Sequence, residues 1–356
     1  MSKEIRISKG LDIRLVGEAT HSITDAIKSN FYTLRPDDFH GVTPKLAVKA
    51  GAKLKAGESV FFDKSNEAIK FVSPVSGEIL EITRGEKRRI LEIKIKADKK
   101  ISFITHETPK LKTAQADEIK SLLLASGCWP FIKQRPYDVI AKPELQPKAI
   151  FISAHATAPL AVDYNFTLRG KEVELQAAVT ALSKLMGGPV HVGVSKASDS
   201  PFENLQDINI HKLSGPHPSG NVGTLINKID PINKGETVWT IAPQDLVIIG
   251  ELLLTGKYNA ERTVALVGSQ IEAPRYLKTR IGSEVATMIY DRGIQKDAHA
   301  RIISGNVLCG KEVKPDGFLD FYSDVITVIP EGDDYEFFGW NKPVFNKVST
   351  SRALTF

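Results

Sequence analysis

The chain has 356 residues, 42% of them hydrophobic and 25% charged, with a formal net charge of +5, which is the balance of a globular protein long enough for about two to four compact units. No apolar run reaches the roughly 18–20 residues of a transmembrane helix; the longest, 246–254, is broken by Gly250 and Glu251, and the N-terminus has no apolar core of a signal peptide. The two cysteines, Cys128 and Cys309, stand far apart and outside any CxxC pair, which argues against a disulfide framework and against an iron–sulfur or zinc site.

Residues 5–15 alternate apolar and charged positions, the pattern of a half-buried strand with a turn at Lys9-Gly10. Up to about residue 40 the chain is polar and poorly periodic. From 41 to 95 short β signals recur, punctuated by Gly51, Gly57, Gly77 and Gly85, and predict a compact all-β module. Its basic runs at 84–89 and 96–100 are interrupted by acids and lack aromatics, as in a solvated loop rather than a nucleic-acid surface.

A short amphipathic helix is predicted over 116–126, with acids in its first turn and Gly127 as its stop. A strand over 148–154, a helix over 171–186 and a strand over 189–194 form a βαβ unit, which favours a parallel sheet covered by helices. The series continues through 208–213, a helix near 222–229 and the apolar stretch 245–254. From Arg262 a strand, a helix over 282–293 with Ser283 at its N-cap, and a strand and turn over 300–310 predict a small α+β unit. The tail from 331 carries Phe337, Phe338 and Trp340.

Within the all-β module, Asp63-Lys64-Ser65, then Ser73-Pro74, then Gly77 follow one another as they do in lipoyl and biotinyl carrier domains, which present a modified lysine at a hairpin tip. Lys64 lies ten positions before Pro74, farther than the lysine of lipoyl domains stands from its proline. An even-numbered insertion keeps the pleat in phase, so the scaffold is retained while a longer hairpin moves Lys64 off its tip. The expectation is a carrier-type barrel-sandwich hybrid with an ordinary loop lysine; a lipoylated or biotinylated Lys64 is the alternative.

That module, the βαβ domain and the α+β unit come together with the stretches SGPHPSGNVGT (214–224), PRYLKTRIG (274–282), RIISGNVL (301–308) and FFGW (337–340). The chain thereby resembles the NqrA family of the sodium-translocating NADH:quinone reductase, Na+-NQR, from KGLDIRL (9–15) to its last residue. The resemblance implies an α/β multidomain fold: an N-terminal segment (1–40), a barrel-sandwich hybrid (41–100), a Rossmann-like domain related to the flavin subunit of complex I (101–258) and a β-grasp domain of the SLBB type (259–330). Residues 331–356 would begin a C-terminal region that family members continue, so the chain reads as C-terminally truncated. The resemblance also implies a peripheral subunit on the cytoplasmic side of a bacterial inner membrane, within a six-subunit complex that passes electrons from NADH to ubiquinone and exports sodium. The membrane subunit NqrB is the expected neighbour, and FAD, FMN, riboflavin and the iron–sulfur centre are expected in partner subunits.

In the flavin-bearing relatives, which include a component of the Rnf complex, a glycine-rich loop after a short helix holds FMN, because glycines let backbone N–H groups approach a phosphate. Here that place reads SGCWPFIKQRPYDVIAKP (126–143), with no glycine after Gly127 and with bulk and prolines instead. No cofactor is therefore expected in this chain. The segment can accept a flat ring: Trp129 and Phe131 as walls, and Lys133, Gln134 and Arg135 as donors to quinone carbonyls. The family associates this segment and the one matching LRPDDFHGV (34–42) with quinone, which adds Phe39 and Gly41. The alternative is that Trp129 and Phe131 plug the vacated flavin site and Arg135 is a surface or subunit-contact charge.

Gly215, Gly220 and Gly223 do not have GxGxxG spacing, and no phosphate fingerprint surrounds His155, so NADH binding is not expected. His217 between two prolines reads as a turn histidine or as a donor to a ligand. No metal-ligand pairing and no catalytic residue of this chain's own can be argued.

Overall fold

Val- and Ile-rich runs build the centre of a seven-stranded sheet in the order Lys3–Arg6, Asn209–Ser214, Val190–Ser195, Ile150–Ser153, Val238–Thr240, Lys133–Arg135 and Val139–Ile140. The first five run parallel, and the last two close the edge antiparallel. The computed structural model describes residues 3–290, 294, 299–333, 335, 337 and 338.

Strand residues alternate between faces, and helices cover both. Ile150 and Ile152 share a core with the helices Glu172–Met186 and Pro243–Thr255, whereas Phe151 belongs to a core with Leu225 and Ile226 of the helix Val222–Ile229. Gly250, the break in the apolar run, stands where the first two helices touch. A Cβ there would lie 1.9 Å from the carbonyl oxygen of Glu174, so only glycine permits this approach.

The all-β module is two sheets. One has the strands Phe31–Leu34, Ile90–Ala97, Gly77–Arg84 and Lys53–Leu54; the other has Pro44–Leu46, Ser59–Asp63 and Asn66–Val72. Phe61, Phe71, Val75, Ile79, Ile93 and Ile95 are buried between them. The third unit is a six-stranded sheet in the order Lys311–Glu312, Ala300–Ser304, Val325–Pro330, Glu261–Val267, Arg275–Arg280 and Thr20–Asp25.

The polar stretch before residue 40 is shared out rather than irregular. Its strand Thr20–Asp25 edges the third unit and Phe31–Leu34 edges the barrel sandwich. The strand expected over 5–15 is limited to Lys3–Arg6. Beyond it, Leu11 hydrogen-bonds to His217 and Gly17 to Gly268, so loops rather than a strand face this segment, and Leu11 and Ile13 stay 41% and 40% exposed. Gly10, with φ at 157°, crosses the His217 carbonyl so closely that a Cβ would lie 2.1 Å from its oxygen.

The helix expected over 282–293 is the single turn Ala286–Ile289, and the expected N-cap Ser283 instead pairs its hydroxyl with Thr279 at 2.8 Å. Residues 291–293 lie outside the described residues, as do Trp340 and the rest of the tail from 339.

Lys64 is also placed differently from the expectation. Lys64 and Ser65 form the whole turn between Asp63 and Asn66, so Lys64 sits exposed at a tight tip. The buried Asp63 carboxylate accepts from Ser65 N, Ser65 Oγ and Thr43 N and thereby fixes the turn. The extra length is absorbed in the strand: Asp63 pairs with Asn66 but Phe62 with Lys70, leaving a bulge at 67–69.

Seven aromatic rings join the units. Phe39 lies 4.3 Å from Phe71 and 4.7 Å from Phe321, and Phe131 stacks on Phe321 at 5.1 Å, centroid to centroid. Phe61, Tyr258 and Tyr322 complete the cluster.

The first strand is held partly by a histidine pair. The Lys3 backbone N–H donates to His211 Nδ1 at 3.2 Å, which leaves His211 Nε2 as donor to His191 Nδ1 at 3.0 Å. Burial, reinforced by His191 and Lys3, lowers the His211 pKa from 6.5 to about 4, so the neutral ring belongs to the fold. A depressed histidine contributes stability that is full above the unfolded value and is lost as pH falls through the folded one. Protection of the Lys3 and Ile7 amides, corrected for intrinsic exchange, is expected to fall between pH 6.5 and 4; flat protection over that window would separate the histidine pair from strand docking.

Candidate functional site

The strand Ile150–Ser153 has Val190–Ser195 on one side and Val238–Thr240 on the other, and the crevice beyond such a divergence is where open α/β sheets bind ligands. A cavity of about 220 Å3 occupies it. Ser153 and Thr240 line it from the strand ends, and Ala242 and Pro243 from the start of a helix. Phe131, Lys133, Arg135 and Asp138 come from the antiparallel edge, Tyr164 from the helix Tyr164–Thr167, and Tyr322 from the third unit.

A larger cleft of about 560 Å3 adjoins this inner cavity and shares Lys133, Asp138 and Tyr322 with it. Its other walls include the charged side chains of Asp38, Lys311, Asp320 and Asp324.

Lys133 Nζ stands 3.9 Å from the centre of the Tyr322 ring and 3.9 Å from Asp138 Oδ2. Burial lowers the lysine pKa, opposed by Asp138 and Asp245. Arg135 reaches Asp138 at 3.3 Å. The Tyr322 hydroxyl donates to the Pro130 carbonyl at 2.7 Å, which fixes the ring between cavity and cleft. A cationic amine over an aromatic face, beside a guanidinium in a partly dry space, can donate to oxygens of a flat polar ring.

The expected site residues separate into two groups. Phe131, Lys133 and Arg135 come together at the inner cavity. Trp129 is fully buried with its Nε1 donating to the Ala141 carbonyl at 2.7 Å, so it packs the core. Phe39 is 3% exposed within the aromatic junction, touching Tyr322 rather than the cavity. Gly41 lines a different space of about 270 Å3, between the Lys64 hairpin and residues 139–144. Gln134 is buried in the sheet and accepts from Lys142 N. His217 Nδ1 lies 3.1 Å from Thr157 Oγ1, and His155 Nε2 lies 3.4 Å from Ser219 Oγ.

Sequence reasoning missed the acids and tyrosines of this region. Asp245 lines the inner cavity at 1% exposure and ion-pairs with Arg262, itself 3% exposed, which also reaches the Ser323 carbonyl at 3.4 Å. Arg262 Nε has no hydrogen-bond partner among the described residues. Burial raises Asp245 from 3.8 to about 6, opposed by Arg262. Tyr164 donates from its hydroxyl to Asp324 Oδ2 at 2.7 Å, and burial raises both groups. The available signal was an acid opening the apolar run at 245–254, which reads equally as an ordinary first-turn helix acid.

A barrel-sandwich hybrid, a parallel α/β sheet with a cavity at its switch point, and a third sheet that lends Tyr322 to that cavity define a three-unit α/β protein with one candidate ligand site at its centre. Family profiles match in the same order: the NqrA N-terminal barrel-sandwich hybrid domain over residues 5–98, the NqrA second alpha/beta domain over 114–258 and the NQRA C-terminal domain over 263–314. The NqrA subunit of the Na+-translocating NADH-quinone reductase of Haemophilus influenzae is 34% identical over 354 residues, which is 98% of this chain and 79% of that one. Its counterpart from Neisseria meningitidis serogroup A is 36% identical over 352 residues, 98% of this chain and 78% of the relative. The chain belongs to the NqrA family of the Na+-translocating NADH-quinone reductase. Among solved structures, a chain of an NAD+-reducing [NiFe]-hydrogenase in the air-oxidized state superposes with a TM-score of 0.43 at 11% identity, covering 65% of this chain and 52% of that one, too distant to carry function.

Removing Arg262 while keeping Asp245 strands a buried carboxylate. Because the folded pKa of Asp245 lies above its unfolded value, the acid favours the fold below pH 3.8 and ceases to do so as pH rises through about 6. Arg262→Met is therefore expected to cost about 3–5 kcal/mol at pH 8 and less at pH 5, read from thermal unfolding. An equal cost at both values would show that Asp245 does not take up the proton.

Proposed function

We propose that this protein contributes the quinone end of the NADH-quinone reductase, holding a quinone head group in the inner cavity beside Lys133, Arg135 and Tyr322. The observation that carries the reading is the lysine amine 3.9 Å over the Tyr322 ring in a cavity of about 220 Å3 at the switch point of the sheet. That volume suits a single ring rather than a drug-sized molecule. Phe131 and Tyr322 supply flat walls, and Lys133 and Arg135 supply donors for the carbonyl oxygens.

In this reading the protein carries no redox centre of its own, and FAD, FMN, riboflavin and the iron–sulfur cluster reside in partner subunits. The filled position of Trp129 supports it, as does Cys128, fully buried with its thiol pushed up to about 12. Cys309, the other cysteine, is exposed. The protein is peripheral and lies against the membrane subunit NqrB on the cytoplasmic side of the inner membrane. Among the described residues no helix is long and apolar enough to cross a membrane, which fits a peripheral place.

One observation favours the carrier alternative: Lys64 is exposed at a two-residue hairpin tip. The peptide spanning 61–77 is expected at its unmodified mass, and an adduct on Lys64 would establish a carrier role. For the quinone reading, Arg135→Ala and Lys133→Met in the assembled complex should each raise the Kd of a short-chain ubiquinone about 10- to 100-fold, the effect of losing a hydrogen bond from a charged group. Unchanged affinity in both variants would place quinone elsewhere in the complex.

A further inference from the structure

The inner cavity and the outer cleft adjoin and share Lys133, Asp138 and Tyr322 in their linings. Tyr164 lines only the inner cavity, and Asp324 only the outer cleft. Their hydrogen bond, Tyr164 Oη to Asp324 Oδ2 at 2.7 Å, therefore joins a residue of the inner cavity to a residue of the outer cleft. Quinone reduction needs protons as well as electrons. The complex delivers electrons from NADH, and a quinone seated in the inner cavity must receive its protons from a side chain or from water.

We propose that Tyr164 and Asp324 form a proton relay that carries protons from the outer cleft to the quinone oxygens, a role that rests on the quinone reading above. The Tyr164 O–H bond breaks as an O–H bond forms on the reduced quinone oxygen, and the electron pair stays on the tyrosine oxygen. The phenolate then takes the carboxyl proton of Asp324, and the Asp324 carboxylate is reprotonated by water in the outer cleft. Two electrons from the complex and two passages of the relay convert quinone to quinol with no further reactant.

The tyrosine is held for this task from both ends. Asp163 caps its helix by accepting from Asn165 N and Phe166 N, and the Asp163 N–H donates to Tyr276 of the third unit at 3.1 Å. Asp324 is fixed by its carbonyl, which accepts from Ala265 N at 2.9 Å. The charged and titratable groups around the pair are Asp245 and Arg262 on the inner side and Lys133, Asp138 and Tyr322 in the shared lining. Burial raises the Asp324 carboxyl against the opposing pull of Tyr164 and Arg262, which favours the protonated form a relay requires. Asp245 also lines the inner cavity, but it is bound to Arg262 and absent from the outer cleft, so it has no comparable refilling route.

Tyr164→Phe removes the hydroxyl and keeps the ring; Asp324→Asn keeps an acceptor for that hydroxyl but cannot carry its proton. In the assembled complex each is expected to lower the ratio of ubiquinone to ferricyanide reduction about 100-fold, the scale of a lost general acid, because ferricyanide takes electrons without protons. In Asp324→Asn, which leaves the inner cavity's lining intact, quinone Kd should stay within about twofold, the solvent deuterium isotope effect on kcat should rise, and Asp324→Glu should recover part of the rate. Normal ubiquinone turnover in both variants overturns the relay. A loss in Asp324→Asn explained by weakened quinone Kd also overturns it, since the pair would then serve binding or packing rather than proton transfer. If Lys133→Met and Arg135→Ala leave quinone affinity unchanged, the quinone reading itself fails, and the relay loses its substrate for that separate reason.

Discussion

The three units meet at one cluster of aromatic rings, and the candidate site depends on it. Phe39 comes from the segment entering the barrel sandwich, Phe61 and Phe71 from its strands, Phe131 from the edge of the α/β domain, and Phe321 and Tyr322 from the third unit. Rings of this size bury large apolar areas and pack in tilted or offset geometries that tolerate little displacement. The cluster fixes the third unit over the end of the parallel sheet. It therefore decides where the Tyr322 ring stands relative to Lys133 and so divides the inner cavity from the outer cleft.

Beside that apolar contact lies the opposite kind of constraint. Arg262 and Asp245 are both almost wholly buried, one from the strand Glu261–Val267 of the third unit and one from a helix of the α/β domain. A buried guanidinium without a counter-ion costs far more than the pair gains, so the pair ties the two units in one register more than it adds stability. Tyr164 and Asp324 repeat the arrangement with a hydrogen bond across the same boundary. The polar groups missed from sequence thus lie where two domains close on each other. There, low polarity shifts titration and makes proton position consequential.

How much was legible in advance differs from element to element for physical reasons. The helices Ala116–Ala125, Glu172–Met186 and Val222–Ile229 fall where their local pattern placed them, because each buries one apolar stripe. The strands Thr20–Asp25 and Phe31–Leu34 were not legible, since each is completed by a strand far away in sequence. Lys64 shows the same limit: spacing to Pro74 gave the length of the insertion, but the Asp63 carboxylate decided that the turn stays tight and the bulge takes the excess. Of the expected site residues, Phe131, Lys133 and Arg135 share the cavity because alternate positions on one short strand and the turn before it face the same way.

The sequence by itself determined the family and the order of its matched domains, because those follow from local pattern and from the short stretches quoted above, and it offered the segment at 129–135 as a candidate. Only the tertiary structure decided which side chains of that segment face a cavity, which lie in the core, and which distant partners complete the wall. Tyr164 and Asp245 meet Lys133 through the folding of the α/β domain, and Tyr322 and Asp324 through domain closure; closure is set by the sum of many weak contacts between surfaces that no local window of sequence contains.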